Sequence, residues 1–243
     1  MQNQKKFIAG HQPEFFPYIG YWKKMSIANK FVLVDSINYQ PKNFQNRNQI
    51  RVGNGSDKVC WLKIPIIKDG DIRYQKINQV LINNNTDWKN SHLHLIQQSY
   101  KKTKYFNDVY PFINTLYNYD TPYLSQFTSN IICKLSDKLN IKEDISSTSS
   151  TLINSKKNNL LIDICNEYGC DGYLSGMGAK DYVDISLFDK NKLEHHFIKI
   201  DAPEYNTKWK PFVPNMCILD ILFNLGFDGT QDYIKNQVQY MLI

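Results

Sequence analysis

The chain lacks any paired-cysteine motif. Cys60, Cys133, Cys165, Cys170 and Cys217 are odd in number and irregularly spaced, with no CxxC among them. That excludes a zinc ribbon and a disulfide framework, and free thiols fit a reducing compartment. No apolar run approaches the ~20 residues of a membrane span, and "MQNQKKFIAG" has no apolar signal core behind its lysines, so a cytoplasmic protein is expected. A dense Lys/Arg block is also missing. Lysine and arginine number 29 against 23 acids, a net +6, which suits a small anionic substrate, weak nucleic-acid contact or a plain solvated basic surface. No GxSxG, GxxxxGK[ST] or HExxH occurs, so the common serine-hydrolase, P-loop and zincin chemistries have no motif to rest on. His92 and His94 would diverge by about 200° on a helix, and the adjacent His195 and His196 would face opposite sides of a strand. With no acidic partner at ligand spacing, neither a metal nor a cofactor is expected.

What is present is a globular composition, 42 % apolar and 21 % charged over 243 residues, enough for one full core. "KFIAG" reads as a strand ending at Gly10, with His11, Gln12 and Pro13 in the loop leaving it. Helical spacing starts at Pro17, and "KFVLVDS" is a buried parallel strand closed by Asp35, completing a βαβ unit. "QIRV" and "VCWLKIPI" flank "GNGS" as a hairpin, and "KINQVLINN" reads as a further strand. Helices follow at "NTDWKNSHLHLIQQSYKKT", capped by Asn85 or Thr86, then at "FNDVYPFINTLYN" and "YLSQFTSNIICKLSDKLN". "SSTSST" is the one linker-like stretch. Beyond it come the helix "NNLLIDICNEYG", the strand "CDGYLSG" with a glycine loop, the last strand "HHFIKIDAP" and the helix "MCILDILFNLG", closed by Gly226. The expected fold is α/β, a mostly parallel central sheet flanked by helices with a hairpin insertion. It forms a single domain over 1–243, with any subdivision near 145–155.

Chemistry concentrates in "GHQPEFFPYIGYWKKM", which sets a histidine, two prolines and a run of aromatic rings directly after the first strand. Ligands of parallel sheets bind beyond the carboxyl ends of strands, where this reading places His11 and Asp35. His11 either bonds a loop carbonyl or moves protons. Asn46, Arg47 and Asn48 in "NFQNRNQIR" combine a planar fork for phosphate or carboxylate with amides that read hydroxyls, or form a solvated loop. "YLSGMGAKDY" offers Gly176 and Gly178 as a phosphate cradle or a plain tight turn. Asp181 occupies the third glycine position of a dinucleotide fingerprint, so NAD is not indicated.

Taken in order, "GHQPEFFPYIGYWKKMSIANKFVLVDSINYQPKNFQNRNQIR", "WLKIPI", the Trp88/His92/Tyr100 stretch, "YLSGMGAKDYVD" and "ILDILFNLG" closely resemble the WbqC-like proteins over nearly the whole chain. The departure is Met216-Cys217, where the family pattern leads one to expect Leu-Ser; a hydroxyl role there is in doubt. The resemblance implies a place among O-antigen and surface-polysaccharide genes and a glycyl, aminoacyl or other acyl transfer onto the amine of a nucleotide-linked or lipid-linked sugar. Under that reading His11 is the base and Asp35 orients it. Arg47 with Asn46 and Asn48 clamps diphosphate or carboxylate. Gly176 and Gly178 cradle an oxyanion or phosphate, Tyr18 or Trp22 stacks on sugar or base, and Gln12, Gly20, Ser175 and Tyr182 complete the substrate site. Ser175 and Cys217 are alternative nucleophiles, each set against a turn serine and an inert thiol. Two rivals stay open: a non-catalytic glycan- or nucleotide-sugar-binding protein, and a transferase whose donor is aminoacyl-tRNA.

Overall fold

The computed structural model describes residues 4–52, 58–68, 70–151, 153 and 155–243. The strands are β1 Phe7–His11, β2 Lys30–Leu33, β3 Arg47–Arg51, β4 Val59–Lys63, β5 Ile145–Ser147, β6 Gly172–Gly176, β7 Glu194–Asp201 and β8 Gln239–Leu242. The helices are α1 Ile19–Ile27, α2 Trp88–Tyr100, α3 Phe106–Tyr117, α4 Leu124–Lys138, α5 Lys157–Glu167, α6 Ile185–Lys190 and α7 Ile218–Asp232. Six strands form one sheet in the order β5-β2-β1-β6-β7-β8, parallel except for β8, which pairs antiparallel on the β7 edge. β3 and β4 make a separate antiparallel hairpin. The expected α/β sheet and hairpin insertion are thus both present.

Alternation along the strands builds a core on each face, as the period of two requires. Ala9, Phe31, Leu33, Leu174 and Ile198 join a large cluster with α1, α2, α3, α4 and α7. Ile8, Val32, Val34 and Tyr173 face the other way, into a smaller cluster with Leu160 and Ile164 of α5 and Phe188 of α6. α1 connects β1 to β2 on one side of the sheet, and α6 connects β6 to β7 on the other. The winding direction therefore reverses between β1 and β6, which is where open α/β sheets bind ligands.

The ladders open a gap at that point. β1 stays paired with β2 as far as His11–Leu33 and β6 with β7 as far as Gly176–Ile198, but the β1–β6 ladder stops at Ala9–Leu174. The last two residues of each strand, Gly10–His11 and Ser175–Gly176, are therefore not paired with one another.

Several expectations are corrected. "KINQVLINN" forms a short 3-10 turn, Ile77–Gln79, with isolated bridges at Leu81 and Ile82. Ile77, Val80 and Ile82 are buried, with the Val80 carbonyl accepting from Leu124 N of α4, while Leu81 is exposed. α2 is capped by Asp87, not Asn85 or Thr86. "SSTSST" holds the end of edge strand β5 and a 3-10 turn. β7 is not the last strand, because the C-terminal Gln239–Leu242 adds β8. Gly226 does break the helix it ends, with φ 72°, but the chain resumes helical turns beyond it. The "GNGS" turn lies outside the described residues. Among those residues no helix is long and apolar enough to cross a membrane.

Candidate active site

Proline at 13 and 17 and the short α1 fold the chain back on itself directly after β1, so the ring of Tyr21 meets His11 edge-on at 4.7 Å. The His11 Nδ1 lies 3.3 Å from the carbonyl oxygen of Gln12 and 3.6 Å from Glu14 Oε1. No partner among the described residues takes its Nε2. Burial, seconded by the Lys24 charge, holds the imidazole pKa well below its ordinary value of 6.5, so the ring is neutral at physiological pH. With Nδ1–H directed at the Gln12 carbonyl, Nε2 is the basic nitrogen.

Glu14 is the residue that sequence reasoning missed. It is 4 % exposed, and its Oε2 is buried with no hydrogen-bond partner among the described residues. Loss of water pushes its pKa up to about 7, with the Lys24 ammonium pulling back. Burial in turn brings Lys24 down to about 8 while Glu14 holds it up, and the Lys24 ammonium donates to the Gly10 carbonyl at 3.0 Å. A carboxyl and an amine both shifted toward neutrality beside a neutral imidazole are an arrangement suited to proton transfer. The available signal was the i,i+3 spacing of His11 and Glu14, with Glu14 the one acid in an otherwise aromatic stretch.

The other expected residues divide. A Cβ added at Gly176 or Gly178 would meet nothing within 4 Å, so the glycine loop borders open space. Tyr182 is 64 % exposed in the same loop. Tyr18 presents a half-exposed ring, and Gly20 is required beneath it, because a Cβ there would lie 2.6 Å from that ring. Gln12 is tied to the hairpin by the Gln45 amide at 2.5 Å.

Trp22 is fully buried, with its Nε1 donating to Pro17 O at 3.0 Å; it is core and cannot stack on a substrate. Asn46 accepts from Tyr39 Oη and donates to Ile64 O, while Asn48 donates to Phe15 O and Phe16 O. The Asn48 amide is consumed in fastening the hairpin to the loop after β1 and the Asn46 amide in joining Tyr39 to Ile64 at the end of β4, so only Arg47 of the expected clamp reaches the surface. Cys217 is fully buried and desolvation pushes its thiol up to about 12, which removes it as a nucleophile. Ser175 shares its face with Tyr173, on the opposite side of the sheet from His11. Its Oγ lies 2.9 Å from His195 Nε2, and burial drives His195 down to about 4.

Asp35 does not meet His11. Its carboxylate accepts from Thr148 Oγ1 at 3.1 Å, Ser149 N at 2.9 Å and Ser149 Oγ at 2.6 Å. It fastens the turn after β5 to the end of β2, and Glu14 takes the place expected for it beside the imidazole. Asp35→Ala should therefore cost about 2–4 kcal/mol of stability. Turnover per folded molecule should stay within a few-fold, as paired urea melts and rate measurements would record. A large rate loss at unchanged stability would restore a role in proton transfer.

The WbqC-like protein family model matches residues 12–232. The chain belongs to that family. A Mycobacterium tuberculosis relative, uncharacterized protein Rv1507c, is 26 % identical over 235 residues, covering 95 % of this chain and 98 % of its own length. No solved structure matches the chain. The His11–Glu14 pair and the glycine loop both lie inside the matched span apart from His11 itself, which stands one residue before it.

Proposed function

We propose that this WbqC-like protein transfers an acyl or aminoacyl group onto the amine of a nucleotide-linked or lipid-linked sugar in surface-polysaccharide synthesis. The observation that carries the reading is the His11–Glu14 pair, a half-buried imidazole beside a buried carboxyl with an unpartnered Oε2, at the point where the β1–β6 pairing ends. The amine nitrogen attacks the carbonyl carbon of an activated acyl donor and the C–N bond forms. The amine proton passes to Nε2 of His11, the bond to the leaving group breaks, and the imidazolium returns the proton to that group. Glu14 steadies the imidazolium through Nδ1, and the backbone of the Gly176–Gly178 loop faces the developing oxyanion.

The test is incubation of the purified protein with amino-sugar nucleotides and activated glycyl or acyl donors, read by mass spectrometry. The expected product is an amide whose mass gain equals the acyl group. Loss of that product on ribonuclease treatment would turn the donor into aminoacyl-tRNA. Absence of any product across the donors would sink the transferase reading.

One observation favours a binding role instead. A polar cleft of about 380 Å³ away from His11 is lined by Asn84, Asp87, Asn90, Asn114, Asn118 and Asp120, side chains suited to sugar hydroxyls and lacking a neutral base. Glycan affinity without turnover would favour it.

A further inference from the structure

The stretch that holds the hairpin is basic. Residues 36–68 contain Lys42, Arg47, Arg51, Lys58, Lys63 and Lys68 against a single acid, Asp57, so this stretch supplies five of the net six charges. β3 and β4 lie within it, and their pairing sets Arg47 directly opposite Lys63. Like charges facing one another across a ribbon destabilise it, and an anion between them would relieve that cost.

The same face carries an aromatic surface. Trp61 is 43 % and Phe44 41 % exposed, with ring centroids 6.2 Å apart and a 34° tilt. The Arg47 guanidinium lies 4.4 Å from the Trp61 ring, donates to Lys42 O and has its Nε buried without a partner among the described residues. The guanidinium is thus fixed in place before any ligand arrives. This face adjoins the candidate active site. Phe15 N donates to Phe44 O at 2.9 Å and Gln45 reaches Gln12, both within the loop that carries Glu14.

We infer that the exposed face of the hairpin is the binding site for the nucleoside diphosphate part of the sugar substrate. The base stacks on Phe44 and Trp61, and the diphosphate lies over Arg47 and Lys63, leaving the sugar directed toward His11. This rests on the amino-sugar transferase reading and selects a nucleotide-linked sugar over a lipid-linked one. A flat base gains from an aromatic face whatever its edge pattern, and the adjacent cations supply the phosphate contact.

Titration of the purified protein with UDP, dTDP, CDP and GDP, followed by calorimetry and tryptophan fluorescence, tests it. At least one should bind and quench. Trp61→Ala should weaken that binding about 10-fold or more, Trp61→Phe should keep most of it, and Arg47→Ala should weaken it while flattening its salt dependence. Unchanged affinity in both Trp61→Ala and Arg47→Ala overturns the platform and leaves acyl transfer standing. So does an absence of nucleotide binding in a protein that acylates a sugar lacking a nucleotide. Tighter binding of tRNA through the same residues would replace the small nucleotide as the occupant. Failure of the transferase reading would be recorded separately, as nucleotide binding lost in Trp61→Ala with no acyl product from any donor.

Discussion

His11→Ala should lower the rate of acyl transfer by about two to four orders of magnitude while leaving the fold intact, since the ring is half-buried at the end of β1 and fills no core position. Glu14→Gln should also slow transfer, and it carries a second signature. Folded Glu14 holds its proton with a pKa of about 7, against 4.5 for an ordinary glutamate. The folded state therefore binds this proton more tightly than the unfolded state. Its contribution to stability is fully present below pH 4.5 and falls away as the pH rises to about 7. Above pH 7 the buried carboxylate is a cost of up to about 3 kcal/mol. Glu14→Gln should match the wild type near pH 4 and exceed its stability at pH 8, as melts across that range would read. The wild-type rate should rise through about pH 7 as Glu14 ionises, and the variant should lose that limb. Parallel stability curves for the two proteins would show that Glu14 is not the group described here.

Asp220→Ala should be the most damaging change to the fold itself. Asp220 is 2 % exposed in the first turn of α7, where its charge also meets the positive end of the helix dipole. Its carboxylate accepts from Tyr100 Oη at 3.0 Å and Tyr205 Oη at 2.6 Å, and Tyr100 Oη accepts from Arg51 N at 3.2 Å. One side chain thus joins α2, α7, the hairpin and the segment after β7. Hydrogen bonds to a charged group contribute about 1.5–3 kcal/mol each, and truncation leaves two buried phenol O–H donors without an acceptor, though Tyr100 Oη keeps the Arg51 N–H. A loss of about 3–5 kcal/mol follows, a large share of a typical domain's stability. Tyr205→Phe should cost stability in the wild type and little further in Asp220→Ala, which a double-mutant cycle would measure. A loss below about 1 kcal/mol in Asp220→Ala would mean that water replaces the carboxylate.

Local pattern made much of the fold legible. β1, α1, β2 and β6 stand within a residue or two of where periodicity, Pro17 and Gly176 put them, because each is encoded within its own few residues, whereas β1 takes in His11 and α7 runs past Gly226 to Asp232. β5 and β8 were missed for the opposite reason. "ISS" and "QYML" are strands only because β2 and β7 offer them an edge. His11 and the glycine loop were singled out because the carboxyl ends of parallel strands are recognisable without coordinates. The partner of His11 was misassigned, since strand-end position made Asp35 the candidate while three donors from 148–149 had already engaged it.

The amino acids alone determined the family, the alternation of strands and helices, and the concentration of reactive groups after the first strand, all of which depend on near neighbours in the chain. Tertiary structure alone decided which polar groups remain available. Asn46, Asn48, Asp35 and Trp22 are used up by contacts from other segments, while one oxygen of the buried Glu14 carboxyl, Oε2, is left without a hydrogen bond. The free energy of a charged or hydrogen-bonding group is set by its surroundings in space, and packing determines those only when the chain is folded.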